Sequence, residues 1–168
     1  MRRTILLLVV LLLGGLLAGP AAADPPGRGH AHGTHDASLG AQLAEVRAAT
    51  ARYHDVTVAM DDGYASTPCV EHPELGAMGH HYVHGDLLDH IAETGELDAT
   101  TPPILLYVPG PSGQLRLAGV EYVSFEEEAT LLGQDLMPGG PFPLALHVWV
   151  WQNNPAGMFA DFNPRLSC

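Results

Sequence analysis

Leu39, Leu43, Val46, Thr50, Tyr53 and Met60 follow one another at steps that sum to three and four residues, with Arg and Glu mostly between them. That stripe predicts one long helix over 38–62, capped by Asp36 or Ser38 and stopped by Gly63. Residues 64–76 carry Pro68, Cys69, Glu71, His72 and Pro73 and read as a loop. The pattern then changes to short apolar runs broken by turn residues. Residues 78–83 predict a short strand and 86–93 a short helix ending at Gly95. Residues 104–108 and 115–125 predict two strands joined by a Pro/Gly-rich hairpin connection at 109–113. A Gly- and Pro-rich loop opens with the acidic run 126–128 and lasts to 143, and a last strand covers 144–151. The tail holds two Asn-Pro turns, at 154–155 and 163–164.

One long helix followed by about four largely antiparallel strands predicts an α+β fold. The helix would pack on the concave face of a curved sheet, as in cystatin-like or NTF2-like rolls, with a small β-barrel as the alternative. Rolls of this kind often hold a cavity between helix and sheet, but that is a fold-level analogy.

Three of the apolar runs contain a polar residue where the pattern predicts core. These are His81, Glu121 and His147. A carboxylate buried there costs several kcal/mol, on the order of 2 to 7 for a lone polar group, unless it is paired, protonated or metal-bound. Alternation along 115–125 puts Glu121 with Leu115, Leu117, Gly119, Val123 and Phe125 on the more apolar face. Its pKa should rise there unless a cation holds it ionised. A salt bridge to Arg47 or Arg52 on the helix, or a structural hydrogen-bond network, is the plainer reading of the same residue. His147 lies in a run apolar on both faces, where a histidine is more often hydrogen-bonded core than ligand. His81 is preferred over His80 because Gly79 on its face would leave room for a ligand. Two imidazoles and a carboxylate form a plausible first shell for zinc, copper, iron or manganese. Glu71 and His72 are possible additional ligands, and Tyr82, Tyr122, Trp149 and Trp151 would shape the pocket. Were the ion to activate water, Glu121 would be the candidate general base.

Composition adds a destination. Arg2 and Arg3, the apolar stretch 5–17 and Ala21-Ala22-Ala23 have the layout of a signal peptide over 1–23. Its removal implies a secreted or extracytoplasmic protein with no stable membrane anchor. Residues 24–37 follow as a Pro-, Gly- and His-rich flexible arm, in which His30, His32 and His35 are either a loose metal trap or an idle leader. Residues 38–168 then form a single domain. The sequence has no lysine, and removing 1–23 leaves five arginines against 19 acids, more acidic still than the whole chain's formal −12. Nucleic-acid binding is therefore not expected, whereas a small molecule or a metal ion is a plausible partner. Cys69 and Cys168 predict one disulfide, since neither stands in C-x-x-C spacing. There is no P-loop, no G-x-G-x-x-G, no H-E-x-x-H and no G-x-S-x-G elbow.

The segments Cys-Val-Glu-His-Pro-Glu-Leu-Gly-Ala-Met-Gly-His-His-Tyr-Val (69–83), Leu-Leu-Tyr-Val-Pro (105–109), Gly-Val-Glu-Tyr (119–122) and the run from Leu146 to Cys168 stand together in this chain. The set resembles a group of small, uncharacterised exported bacterial proteins. The resemblance spans nearly the whole mature chain and implies a shared fold without an activity. Three readings therefore stay open: a metal-binding domain that is a possible metalloenzyme, a non-catalytic roll binding a small ligand, and a structural or interaction domain without metal.

Overall fold

The computed structural model describes residues 32–168, with side chains from Leu39 onward. The signal peptide expected over 1–23 lies outside the described residues, and the side chains of the His30, His32 and His35 stretch lie outside them too. Among the described residues no helix is long and apolar enough to cross a membrane.

The expected long helix is real but broken. Helix α1 spans His32–Thr50, so it starts inside the stretch read as an arm, and a single 3-10 turn, Ala51–His54, follows it. Helix α2 then runs Val56–Asp61. The break has a local cause. Asp55 takes an extended conformation and its carboxylate accepts from the Thr57 backbone N–H at 3.0 Å, which caps α2. Val56, Thr57 and Val58 are β-branched and propagate a helix poorly. Gly63, at φ +102°, stops the segment as its spacing predicts.

The protein is α+β, but the sheet is larger than four strands. Strands β1 (Tyr64–His72), β2 (Gly76–His84), β3 (Ile104–Pro109), β4 (Leu115–Ser124), β7 (Met137–Gly139) and β8 (Phe142–Val148) form one antiparallel sheet in the order β1-β2-β3-β4-β8-β7. A two-stranded ribbon, β5 (Thr130–Leu131) with β6 (Gln134–Asp135), and β7 itself occupy the region expected to be loop. Helix α3, Gly85–Thr94, ends on left-handed Gly95 as expected. The sheet curls without closing: among the described residues no ladder joins edge β1 to edge β7, so it is not the small barrel.

Strand β1 replaces the expected loop. It is a largely exposed edge strand whose register shifts between Ser66 and Cys69, around Pro68. Proline is tolerated at a sheet edge, where its missing N–H breaks no internal ladder bond. Cys69 and Cys168 form the expected disulfide, with Cα atoms 5.8 Å apart.

Leu43, Val46 and Ala59 of the helices pack on Tyr82, Leu105, Tyr107, Val120, Tyr122, Leu146 and Val148. A separate cluster of Ile104, Leu106, Val123 and Ala145, with Val83, Leu88 and Phe142 against it, occupies the opposite sheet face. Both faces of β3, β4 and β8 are thus covered, which explains their continuous apolar runs.

Candidate metal centre

The ladder registers bring the three polar interruptions together. Glu121 on β4 and His147 on β8 are direct cross-strand partners. His81 on β2 pairs with Leu106 of β3, and β3 in turn pairs Ile104 with Glu121, so His81 reaches over one strand. His81 Nε2 lies 3.3 Å from Glu121 Oε2, and His147 Nε2 lies 3.9 Å from the same oxygen. One ligand atom from each residue falls within 4.8 Å of the others. Donors bonded to one ion at about 2.0 to 2.2 Å stand roughly 3 to 3.5 Å apart, so this set is close to closing on a metal.

Burial makes the cluster demanding. Glu121 is 4% exposed and His147 3%. Glu121 Oε2 and both ring nitrogens of His147 are buried without a hydrogen-bond partner among the described residues. Orphaned buried atoms call for a physical explanation, and an ion is one of the few. Burial pushes the Glu121 carboxyl above its ordinary range; His147 opposes that shift and Asp161 adds to it. Burial also drives His81 down from 6.5 to about 4, with His147 and His80 adding to the effect. His81 is therefore neutral at pH 7, the form that donates to a metal. Neither arginine offered as a plainer partner reaches Glu121. Arg47 Nε donates to the Val150 carbonyl and Arg52 pairs with Asp62.

Asp161 is a fourth member that the sequence did not reveal. Its Oδ1 sits 3.3 Å from His147 Nδ1, at ion-pair distance though not aligned as a hydrogen bond. The neighbouring His147 ring holds the Asp161 carboxyl below its ordinary range. A carboxylate behind the Nδ1 edge leaves Nε2 to face the ion, the arrangement common around metal-bound histidines. Asp161 lies in an irregular tail without periodicity, so no pattern could single it out. The tail is held from behind: Trp149 Nε1 donates to the Ala160 carbonyl at 2.6 Å and Asn154 Nδ2 to the Phe162 carbonyl at 3.0 Å.

The centre opens on a cavity of about 640 Å³. It lies on the sheet face turned away from α1 and α2, not between helix and sheet as the roll analogy implies. The face assignment changes for a specific reason. The β3–β4 register shifts between Leu106 and Tyr107, which leaves Ala118 unpaired between Leu117 and Gly119. The bulge swaps the alternation, so Leu117 joins Val120 and Tyr122 on the helix side while Glu121 points the other way.

Several expected site residues sit elsewhere. Tyr82, Tyr122 and Trp151 belong to the helix-side core and do not line the cavity, and neither does Trp149. Strand β8 ends at Val148, so Trp149 and Trp151 do not continue its alternation. Tyr122 Oη instead donates to the Ala99 carbonyl and Trp151 Nε1 to Thr50 Oγ1. Glu71 Oε2 accepts from the Cys168 backbone N–H at 2.9 Å, and His72 Nδ1 accepts from the Glu74 and Leu75 N–H groups, so neither joins the metal set. Gly79 makes no room for a ligand. At φ +92° it lets the backbone approach β3, where a Cβ would meet the Tyr107 carbonyl oxygen at 2.5 Å. The choice of His81 over His80 stands, since His81 lines the cavity while His80 Nδ1 lies 3.3 Å from the Thr67 carbonyl oxygen.

No protein-family model, curated protein or solved structure matches this chain, so the site's geometry carries the functional reading.

Proposed function

We propose that this protein binds one divalent metal ion through His81, Glu121 and His147, with Asp161 orienting His147. The observation that carries the reading is the convergence of three nitrogen and oxygen donors that are largely buried and, for Glu121 Oε2 and His147 Nε2, without a hydrogen bond among the described residues. Two imidazoles and one carboxylate with no thiolate suit zinc, iron, manganese or copper(II). Glu121 Oε2 stands 3.3 Å and 3.9 Å from the two imidazole nitrogens, near the spacing of donors that share an ion, which favours a ligand role for it over that of a free general base. Three protein donors leave a coordination position for water or a small molecule, as in catalytic rather than closed structural sites.

The setting proposed for this centre is extracytoplasmic. A disulfide closed between Cys69 and Cys168 suits an oxidising compartment. The acidic balance of the chain favours cations over nucleic acid as partners.

Elemental analysis of protein purified without an affinity tag tests the reading, run beside His147→Ala. Close to one ion per chain is expected in the parent and a loss of it in the variant. Absence of metal under every loading condition would refute the centre.

A further inference from the structure

The walls of the cavity say more than its metal ligands do. Val70, Met78, Val83 and Ile104 line it from β1, β2 and β3, Phe142 from β8 and Phe162 from the tail. A volume of about 640 Å³ with such walls matches pockets that enclose a drug-sized organic molecule. Among the described residues that line it, the ionisable side chains are His81, Glu121, His147 and Asp161, and no arginine is present.

Charge then selects the ligand. The two carboxylates, once ionised, balance the two charges of a divalent ion, leaving the loaded site near neutrality. A carboxylate or phosphate entering it would find no arginine to pair with and would approach the buried Glu121 and the half-exposed Asp161. A neutral molecule meets no such opposition, and its hydrocarbon body gains from leaving water. We propose that the cavity takes a neutral, apolar organic molecule that places a single oxygen or nitrogen donor on the metal's open position. This rests on the metal reading above and adds the chemical class of the ligand. Val70, 39% exposed, is one of the lining residues that solvent reaches, on the edge strand β1.

Cobalt(II) serves as both metal and reporter. The full chain, loaded with one equivalent of cobalt, is titrated with 1-naphthol, with naphthalene, which lacks a donor, and with 1-naphthoate, which carries a charge. The visible cobalt band should shift with 1-naphthol, and 1-naphthol should bind at least about tenfold more tightly than either analogue. Val70→Arg places a cation on the cavity's lining; it should keep the cobalt stoichiometry and move the preference toward 1-naphthoate. Cobalt bound at one equivalent with no response to 1-naphthol up to its solubility limit overturns the ligand proposal and leaves the metal centre standing. So does 1-naphthoate binding as tightly as 1-naphthol in the parent. No cobalt bound at all overturns both.

Discussion

Glu121 and His147 face each other as direct partners across β4 and β8, on the sheet face opposite α1 and α2. Among the described residues neither facing atom has a hydrogen bond: Glu121 Oε2 and His147 Nε2 are 3.9 Å apart, and His81 Nε2 stands 3.3 Å from the same oxygen. The fold therefore holds two polar side chains at a distance that suits an ion between them better than a direct bond.

Removing the Glu121 charge should move stability and metal affinity in opposite directions. In Glu121→Gln the buried carboxylate becomes a neutral amide of the same shape, which relieves its desolvation. Metal-free Glu121→Gln should be more stable than the parent by about 1 to 2 kcal/mol at pH 7. Its metal affinity should fall by at least about tenfold, since the amide is a poorer ligand. Thermal melts in chelator, set beside competition titrations, check both signs. A variant that loses stability and keeps its metal would assign Glu121 to structure instead.

In the proposed centre Asp161 would act through His147 and not on the ion. Its side chain is 55% exposed, so Asp161→Asn should leave the fold intact. Loss of a carboxylate behind a ligating imidazole typically lowers metal affinity about 10- to 100-fold. A competition titration against a chelator of known affinity measures it. Asp161→Glu should recover part of the loss if orientation is the cause.

Much of this site was legible in the sequence because burial leaves a mark there. A charged residue inside an apolar run stands out whatever the strands do, and Glu121, His147 and His81 were all visible in that way. What hid the rest was local backbone geometry. The bulge at Ala118 swaps the two faces of β4, so period-two counting from Leu115 assigns Glu121 to the wrong set of neighbours. Pro68 disguised β1 as a loop, because an edge strand need not alternate or avoid proline. The cap at Asp55 divides a stripe whose spacing reads as one helix. Asp161 reaches His147 only through the tertiary path of the tail, which no spacing encodes.

Acid should weaken the metal-free fold through His81. Its folded pKa of about 4 lies below the unfolded 6.5, so between those values the unfolded chain binds the extra proton. Stability contributed by keeping His81 neutral is then complete above about pH 6.5 and falls as pH drops toward 4. His81→Phe removes that proton uptake. Denaturant melts of chelated protein from pH 7 down to about 4 should show a shallower decline in the variant. An equal slope in the two proteins would mean that His81 does not resist protonation.

The disulfide should matter more for stability than for the metal centre. It joins Cys69 to Cys168 across 99 positions, and removing such a bridge costs about 2 to 5 kcal/mol. Asp161, however, is fixed upstream of that bridge. Trp149 and Asn154 hold the carbonyls on either side of it, and the backbone of Asn163 bridges to Ala77 of β2. Paired Cys69→Ser and Cys168→Ser changes should thus lower the denaturation midpoint clearly while metal affinity moves less than about tenfold. Asn154→Ala should do the reverse, costing about 1 kcal/mol of stability but loosening the loop that presents Asp161 to His147. Unfolding curves and metal competition on both variants separate the two anchors. If reduction of the disulfide alone releases the metal from folded protein, the tail is held by its end and not by Trp149 and Asn154.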